Sequence, residues 1–280
     1  MRKISTLMVS VLCMMMPVGA EAQVPTAFVS KGATDIQAQP HTITQTNSGA
    51  QWAPIDPMVR SITMDDGLPS NAVRSVVQGS KGYMWFGTDN GLCRFDGYDV
   101  KTYYNPFTTV DQFVSALTAC EEGLLVGCNN GAYLFCNATD RFQKLSDKIT
   151  APVLNFSLDG DQNIWISTNG QGVFRYNLTT HELHQYPMKN IQGKVQSTLV
   201  DANNQVWMLC NHGGASIYHL NKSTDQFEAF PLKGDATMFH GMAMLATPDG
   251  NVYVGTWENG LYKLNADGSA EQLISGTLSN

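Results

Sequence analysis

From about residue 72 onward, apolar and polar residues alternate over short stretches separated by turn-forming residues. In the first block the stretches are Ala72 to Gln78, Tyr83 to Thr88, Leu92 to Phe95 and Tyr98 to Tyr104, with the period of two that half-buried strands require. Between the first and second stretches stand Gly79-Ser80-Lys81-Gly82. Matching places further on hold Asp159-Gly160-Asp161-Gln162, Asp201-Ala202-Asn203-Asn204 and Thr247-Pro248-Asp249-Gly250, the residue types of tight hairpins. The pattern predicts four-stranded sheets joined by turns.

The block repeats. Trp85-Phe86-Gly87-Thr88-Asp89-Asn90-Gly91 has weaker copies beginning at Leu125, Trp165, Trp207 and Tyr253, spaced roughly 40 to 46 residues apart. One such sheet cannot bury both faces, so neighbouring copies must stack, and a ring of blades satisfies every copy at once. The fold class expected is therefore all-β: a β-propeller of four-stranded blades, incomplete, with about five blades and the start of a sixth. The repeat units run over about 59–105, 106–146, 147–188, 189–232 and 233–275. Gly276-Thr277-Leu278-Ser279-Asn280 echoes Gly67-Leu68-Pro69-Ser70-Asn71, which precedes the first strand. The expectation is a fragment of a longer propeller, with open edges that invite aggregation.

Within the repeats, Trp85, Trp165 and Trp207 share one position and are assigned to packing blade against blade. The loop after that position lies at the channel mouth, on the face where propellers commonly receive ligands. It places Asp89, Asn90, Asn129, Asn130, Asn169, Asn211, His212, Trp257 and Glu258 around one rim as candidate ligand-binding residues. Amides, carboxylates and an indole can hydrogen-bond and stack on a sugar. The same residue types are also good turn formers.

Other motifs carry less. His181 to Pro187 superficially has the shape of a phospho-acceptor box, but in the repeat register it falls on the outermost strand. Asp159 to Asn163 starts like a calcium loop, yet Ile164 stands where glycine is needed and Gly170 where the bidentate glutamate belongs. No nucleophile elbow, phosphate-binding loop or zinc-protease motif is present, and no cofactor or metal is expected. Cys128 and Cys210 occupy the slot held elsewhere by Thr88, Thr168 and Thr256, which argues for small strand residues and not a bridge.

Composition adds compartment. The chain of 280 residues is 43% hydrophobic and 15% charged, with a formal charge of -7, so no basic field attracts nucleic acid. Residues 1–22 have the charged start, apolar stretch and Ala20-Glu21-Ala22 site of a cleavable signal peptide, and 23–58 reads as a flexible leader. Five cysteines remain after cleavage, an odd number that cannot all pair within one chain.

Residues 59 to 105 resemble the opening repeat of the periplasmic sensor region of Bacteroidetes-type hybrid two-component systems. The resemblance is carried by Asp65-Asp66-Gly67-Leu68-Pro69-Ser70-Asn71, Ser80 to Thr88, Asn90-Gly91-Leu92 and Arg94 to Tyr98. It implies a parent in which propellers sense glycan fragments and a membrane helix connects them to a histidine kinase, a receiver and a DNA-binding domain. The implied partners are an oligosaccharide, the C-terminal propeller and signalling domains of that parent, and a second copy in a homodimer. The implied location is the periplasm, with the parent anchored in the inner membrane. Nothing in this chain is expected to catalyse. The alternatives are a secreted propeller lyase or hydrolase, for which His212 and Glu258 would be the acid and base candidates, or a protein-binding propeller module.

Overall fold

The computed structural model describes residues 61–108, 110–187, 194–211, 217–230, 241–257, 260–265 and 269–274. The signal peptide, the leader, His212, Glu258 and the closing echo of the repeat lie outside the described residues. A short 3₁₀ turn, Met64–Asp66, opens the described chain. Thr63 and Asp66 cap it reciprocally, and Gly67 closes it at φ 105°, a left-handed geometry that glycine adopts without strain.

Twenty strands follow in five four-stranded antiparallel sheets. Blade 1 is β1 (Val73–Gln78), β2 (Met84–Thr88), β3 (Gly91–Phe95) and β4 (Val100–Tyr103). Blade 2 is β5 (Val114–Ala119), β6 (Gly123–Cys128), β7 (Gly131–Cys136) and β8 (Arg141–Lys144). Blade 3 is β9 (Val153–Leu158), β10 (Asn163–Thr168), β11 (Gly172–Asn177) and β12 (Leu183–Tyr186). Blade 4 is β13 (Lys194–Val200), β14 (Val206–Asn211), β15 (Ile217–Asn221) and β16 (Gln226–Ala229). Blade 5 is β17 (Gly241–Ala246), β18 (Val252–Thr256), β19 (Leu261–Leu264) and β20 (Ala270–Ile274). Strand order within every blade follows the chain, as expected of consecutive hairpins.

The first strands touch in the order β1, β5, β9, β13, β17, and the second strand of each blade also reaches the first strand of the next. The protein is thus an incomplete β-propeller. The blade interfaces form the core. Between blades 1 and 2, Trp85 packs edge-on against Phe135 at 5.2 Å and beside Tyr103 at 5.8 Å. Between blades 3 and 4, Trp165 meets Tyr186 and Phe227 in the same way. Trp85 and Trp165 are 2% and 1% exposed. Trp207 takes the equivalent place but stays half-buried, against Phe230 and His219.

Close approach explains the glycine of the repeated motif. A Cβ on Gly87 would lie 2.7 Å from Val114, and one on Gly127 would lie 2.8 Å from Val153, each valine opening the next blade. Blade 4 solves the same fit in reverse. Leu209 fills the slot, and the small residue is Gly241 of blade 5, whose Cβ would collide with the leucine.

The turns behave as predicted. Asp159 spends its carboxylate on the amides of Asp161 and Asn163 and on the Trp165 indole N–H at 2.9 Å, and Asp201 holds the Trp207 indole at 2.9 Å. The segment His181–Pro187 supplies a turn and β12, the outermost strand of blade 3, with His181 at φ 59° and its Nδ1 bonded to the Tyr176 hydroxyl. All five described cysteines are free, and Cys128 and Cys210 are buried. Burial pushes both of those thiols up to about 12.

Candidate functional site

Antiparallel order puts the β2–β3 loop of every blade on the same face as the linkers between blades. This face is also where each first strand breaks register. In all five blades one extra residue interrupts the pairing of the first strand with the second: Arg74, Ser115, Leu154, Gln196 and Met242. Such a bulge frees one side chain from the strict in-and-out pleat and re-aims it. Sequence patterning had not singled out these residues.

Two of the bulges reach the loops. Arg74 forms a two-pronged ion pair with Asp89, Nε to Oδ1 at 2.6 Å and Nη2 to Oδ2 at 2.9 Å, and its guanidinium lies 5.6 Å from the Phe113 ring. The Arg74 hydrogen bond holds the Asp89 carboxyl below its ordinary range against an opposing desolvation cost. In blade 4, Asn211 Nδ2 donates to Gln196 Oε1 at 2.8 Å. Ser115 donates instead to the carbonyl of Gly127 and, across the interface, to that of Val153.

In blade 2 the loop partner comes from the linker: Asn129 Nδ2 donates to Asp111 Oδ2 at 2.7 Å. Among the described residues, Asn130 Oδ1 and Asn211 Oδ1 are buried acceptors with no hydrogen-bond partner. Asn90 and Asn169 are exposed, and Trp257 is 63% exposed on the blade 5 loop. The structure therefore brings Asp89, Asn129 and Asn211 each to a partner in its own blade or the adjoining linker. Among the described residues, no hydrogen bond joins candidates of different blades.

The linker from β4 to β5 is a second feature that sequence reasoning missed. Gln112 braces it, accepting from Asn105 N at 2.6 Å and donating to the carbonyls of Thr108 and Asn105. The linker presents Tyr104, Phe107 and Val110 to solvent. On the opposite face a polar notch of about 560 Å³ is lined by Asn163, Arg175, Asn177 and His184. Arg175 is bound there to Asp225 at 2.9 Å. No group of three or more acidic, histidine or cysteine side chains suited to a metal occurs among the described residues.

Stacked four-stranded meanders with a polar face of loops and bulges define a repeat-built β-propeller. Within the first repeat, residues 67–90 match the two component regulator propeller family. The resemblance seen in that repeat holds. The fold is shared with the extracellular domain assigned to the hybrid two component system BT4673 of B. thetaiotaomicron, at 21% identity and a TM-score of 0.64, covering 75% of this chain and 28% of that one. The corresponding domain of BT3049 from the same organism gives 18% identity and a TM-score of 0.64, covering 78% and 32%. Virginiamycin B lyase from Staphylococcus aureus gives 14% identity and a TM-score of 0.63, covering 75% and 73%. The chain thus spans less than a third of the sensor domains it matches. No curated protein matches the sequence.

Proposed function

We propose that this chain is the ligand-sensing propeller of a hybrid two-component sensor, taking an oligosaccharide on the face that carries the β2–β3 loops. It is exported by the signal peptide over 1–22, works in the periplasm, and belongs to a parent whose further propeller and signalling domains are its partners. One observation carries the reading. On a frame that repeats from blade to blade, the loop, bulge and linker positions of a single face hold Arg74 with Asp89, Asp111 with Asn129, Gln196 with Asn211, and an exposed Trp257. Polar groups fixed by neighbours beside an exposed indole make a surface suited to sugar hydroxyls and ring faces. The family match at 67–90 and the shared fold of extracellular sensor domains support the same assignment.

The test is a panel of neutral and acidic oligosaccharides titrated into the full chain, read by tryptophan fluorescence and thermal shift. A response lost in Trp257→Ala, with folding intact, supports sensing on this face. Silence across the panel removes it.

The lyase neighbours favour a second reading, a secreted propeller enzyme. It requires turnover that disappears in His212→Ala or Glu258→Ala while the fold persists.

A further inference from the structure

The blade 2 end of this face is built differently from the others. Tyr133 on β7 is 0% exposed, and its hydroxyl is a buried polar group without a hydrogen-bond partner among the described residues. The hydroxyl lies beside the Asn105 and Asn130 amides, which oppose the upward pull of burial on the phenol without closing a bond to it. Asn130 Oδ1 is a second buried, unpartnered atom in the same place. Leaving such groups unsatisfied destabilises the folded state. An unsatisfied buried group in a native protein calls for an explanation, and a visiting ligand is one.

A half-exposed side chain lies over Tyr133. Phe107 stacks on the Tyr133 ring at 5.5 Å and 26°, yet is itself 52% exposed. Its backbone is pinned, because Phe107 N donates to Asn105 Oδ1 and Gln112 braces the linker around it, so the ring can turn out by side-chain rotation alone. Beside the roof, Asp111 and Asn129 present a carboxylate and an amide already locked together at 2.7 Å.

Building on the sensing assignment, we infer that Phe107 plugs a subsite for one neutral, hydroxyl-bearing sugar ring. The incoming ring displaces Phe107, lies on Tyr133, accepts from the Tyr133 hydroxyl, and donates O–H groups to Asn130 Oδ1 and Asp111. An acidic sugar is disfavoured. The groups waiting there are mainly acceptors, Asp111 repels a second carboxylate, and the nearby cation Arg74 is bound to Asp89.

The experiment uses the full chain, isotopically labelled, with cellobiose, maltose, lactose and digalacturonate as probes and backbone amide shifts as readout. A neutral disaccharide should shift the amides of Asn105, Phe107, Asn130 and Tyr133, and digalacturonate should not. Phe107→Ala should tighten binding about tenfold or more, because the plugged state no longer competes. Tyr133→Phe should abolish the shifts at these residues and, in the sugar-free chain, raise Tm by removing an unsatisfied hydroxyl.

Four results overturn the inference. A fall in Tm for Tyr133→Phe would mean the hydroxyl is already satisfied, and weaker binding in Phe107→Ala would make that ring a platform instead of a plug. Shifts confined to the surroundings of Trp257 would leave sensing in place and remove this subsite. If no amide on the face responds to any probe, both readings fall.

Discussion

The strand glycine of the repeat offers a sharp test of the packing. A Cβ placed on Gly127 would meet Val153 Cγ1 at 2.8 Å, Val153 Cβ at 2.9 Å and Ala116 Cβ at 3.2 Å, where carbon atoms normally settle at about 3.5–4.0 Å. Val153 is fully buried and β-branched, so it has little rotamer freedom with which to retreat. Overpacking of this kind costs roughly 1–3 kcal/mol, and replacing glycine by alanine returns roughly 0.5–1 kcal/mol by restricting the unfolded chain. Gly127→Ala should therefore destabilise by about 1–2 kcal/mol. Urea unfolding followed by tryptophan fluorescence measures it. Blade 5 supplies an internal control, because a Cβ on Gly255, in the same slot, would meet only the Ala243 carbonyl at 4.0 Å. Gly255→Ala should be neutral or stabilising. Adding Val153→Ala to Gly127→Ala should recover at least about 1 kcal/mol relative to the sum of the single changes. Equal effects of the two glycine substitutions, or strict additivity with Val153→Ala, would refute the close-approach argument.

Three further outcomes are expected. Asp225 sits in a turn at φ 51°; burial raises its carboxyl, but the Tyr186 hydroxyl at 2.7 Å and Arg175 at 2.9 Å outweigh that and hold it below its ordinary value. A depressed carboxyl contributes stability that is complete above the unfolded value of about 3.9 and is lost as pH falls through the folded one. A plot of Tm against pH should thus fall in the acid limb, less steeply in Asp225→Asn; identical limbs would dismiss the pair as a contributor. Asp159→Ala should cost about 1–3 kcal/mol, because the buried Trp165 indole N–H loses its acceptor. A change within about 0.5 kcal/mol would show that water takes the carboxylate's place. With a thiol reagent under native conditions, Cys136 should be modified first, since the Thr139 hydroxyl and nearby backbone amides lower its pKa, whereas burial raises Cys128 and Cys210. Peptide mapping that found Cys128 or Cys210 labelled first would contradict that burial.

Much of this layout is legible in the residues themselves. Tyr83 to Thr88 alternates because β2 buries Trp85 and Gly87 while Met84 and Phe86 stay half-buried, and the turn before it needs glycine, so periodicity and punctuation agree there; β1 is half-buried on both faces up to the exposed Gln78. The half-burial of Trp207 is not legible, because a shared repeat position fixes direction and says nothing of how much the neighbour supplies. The roof over Tyr133 is hidden for a similar reason: Phe107 lies in a linker without periodicity, and an aromatic there reads the same whether it covers something or faces water. The Tyr186 latch on Asp225 has a counterpart in Tyr103 on Asp140, but Arg175 of β11 serves one and Lys101 of β4 the other. The same contact is reached from different strands, which no alignment of the repeats reveals.

The bulges show why the face of loops can diverge while the frame repeats. A residue inside a regular strand points at one neighbouring blade or the other, so changing it disturbs an interface, as the reciprocal sizes of Gly127 with Val153 and Leu209 with Gly241 demonstrate. The extra residue of a bulge has no partner across the ladder. Arginine, serine, leucine, glutamine and methionine can therefore stand at that position in successive blades. The loop residue beside it, held at Asp89 and Asn211 by the bulge itself, varies with similar freedom. Exchanging Gln196 for Arg together with Asn211 for Asp should accordingly transplant the blade 1 ion pair into blade 4 with little loss of stability. Either change alone should cost more, because it leaves a half-buried charge without its partner. Unfolding free energies of the two single variants and the double variant decide it. A double variant no more stable than the worse single one would show that the bulge is constrained by its interface after all, and that the face cannot vary independently of the frame.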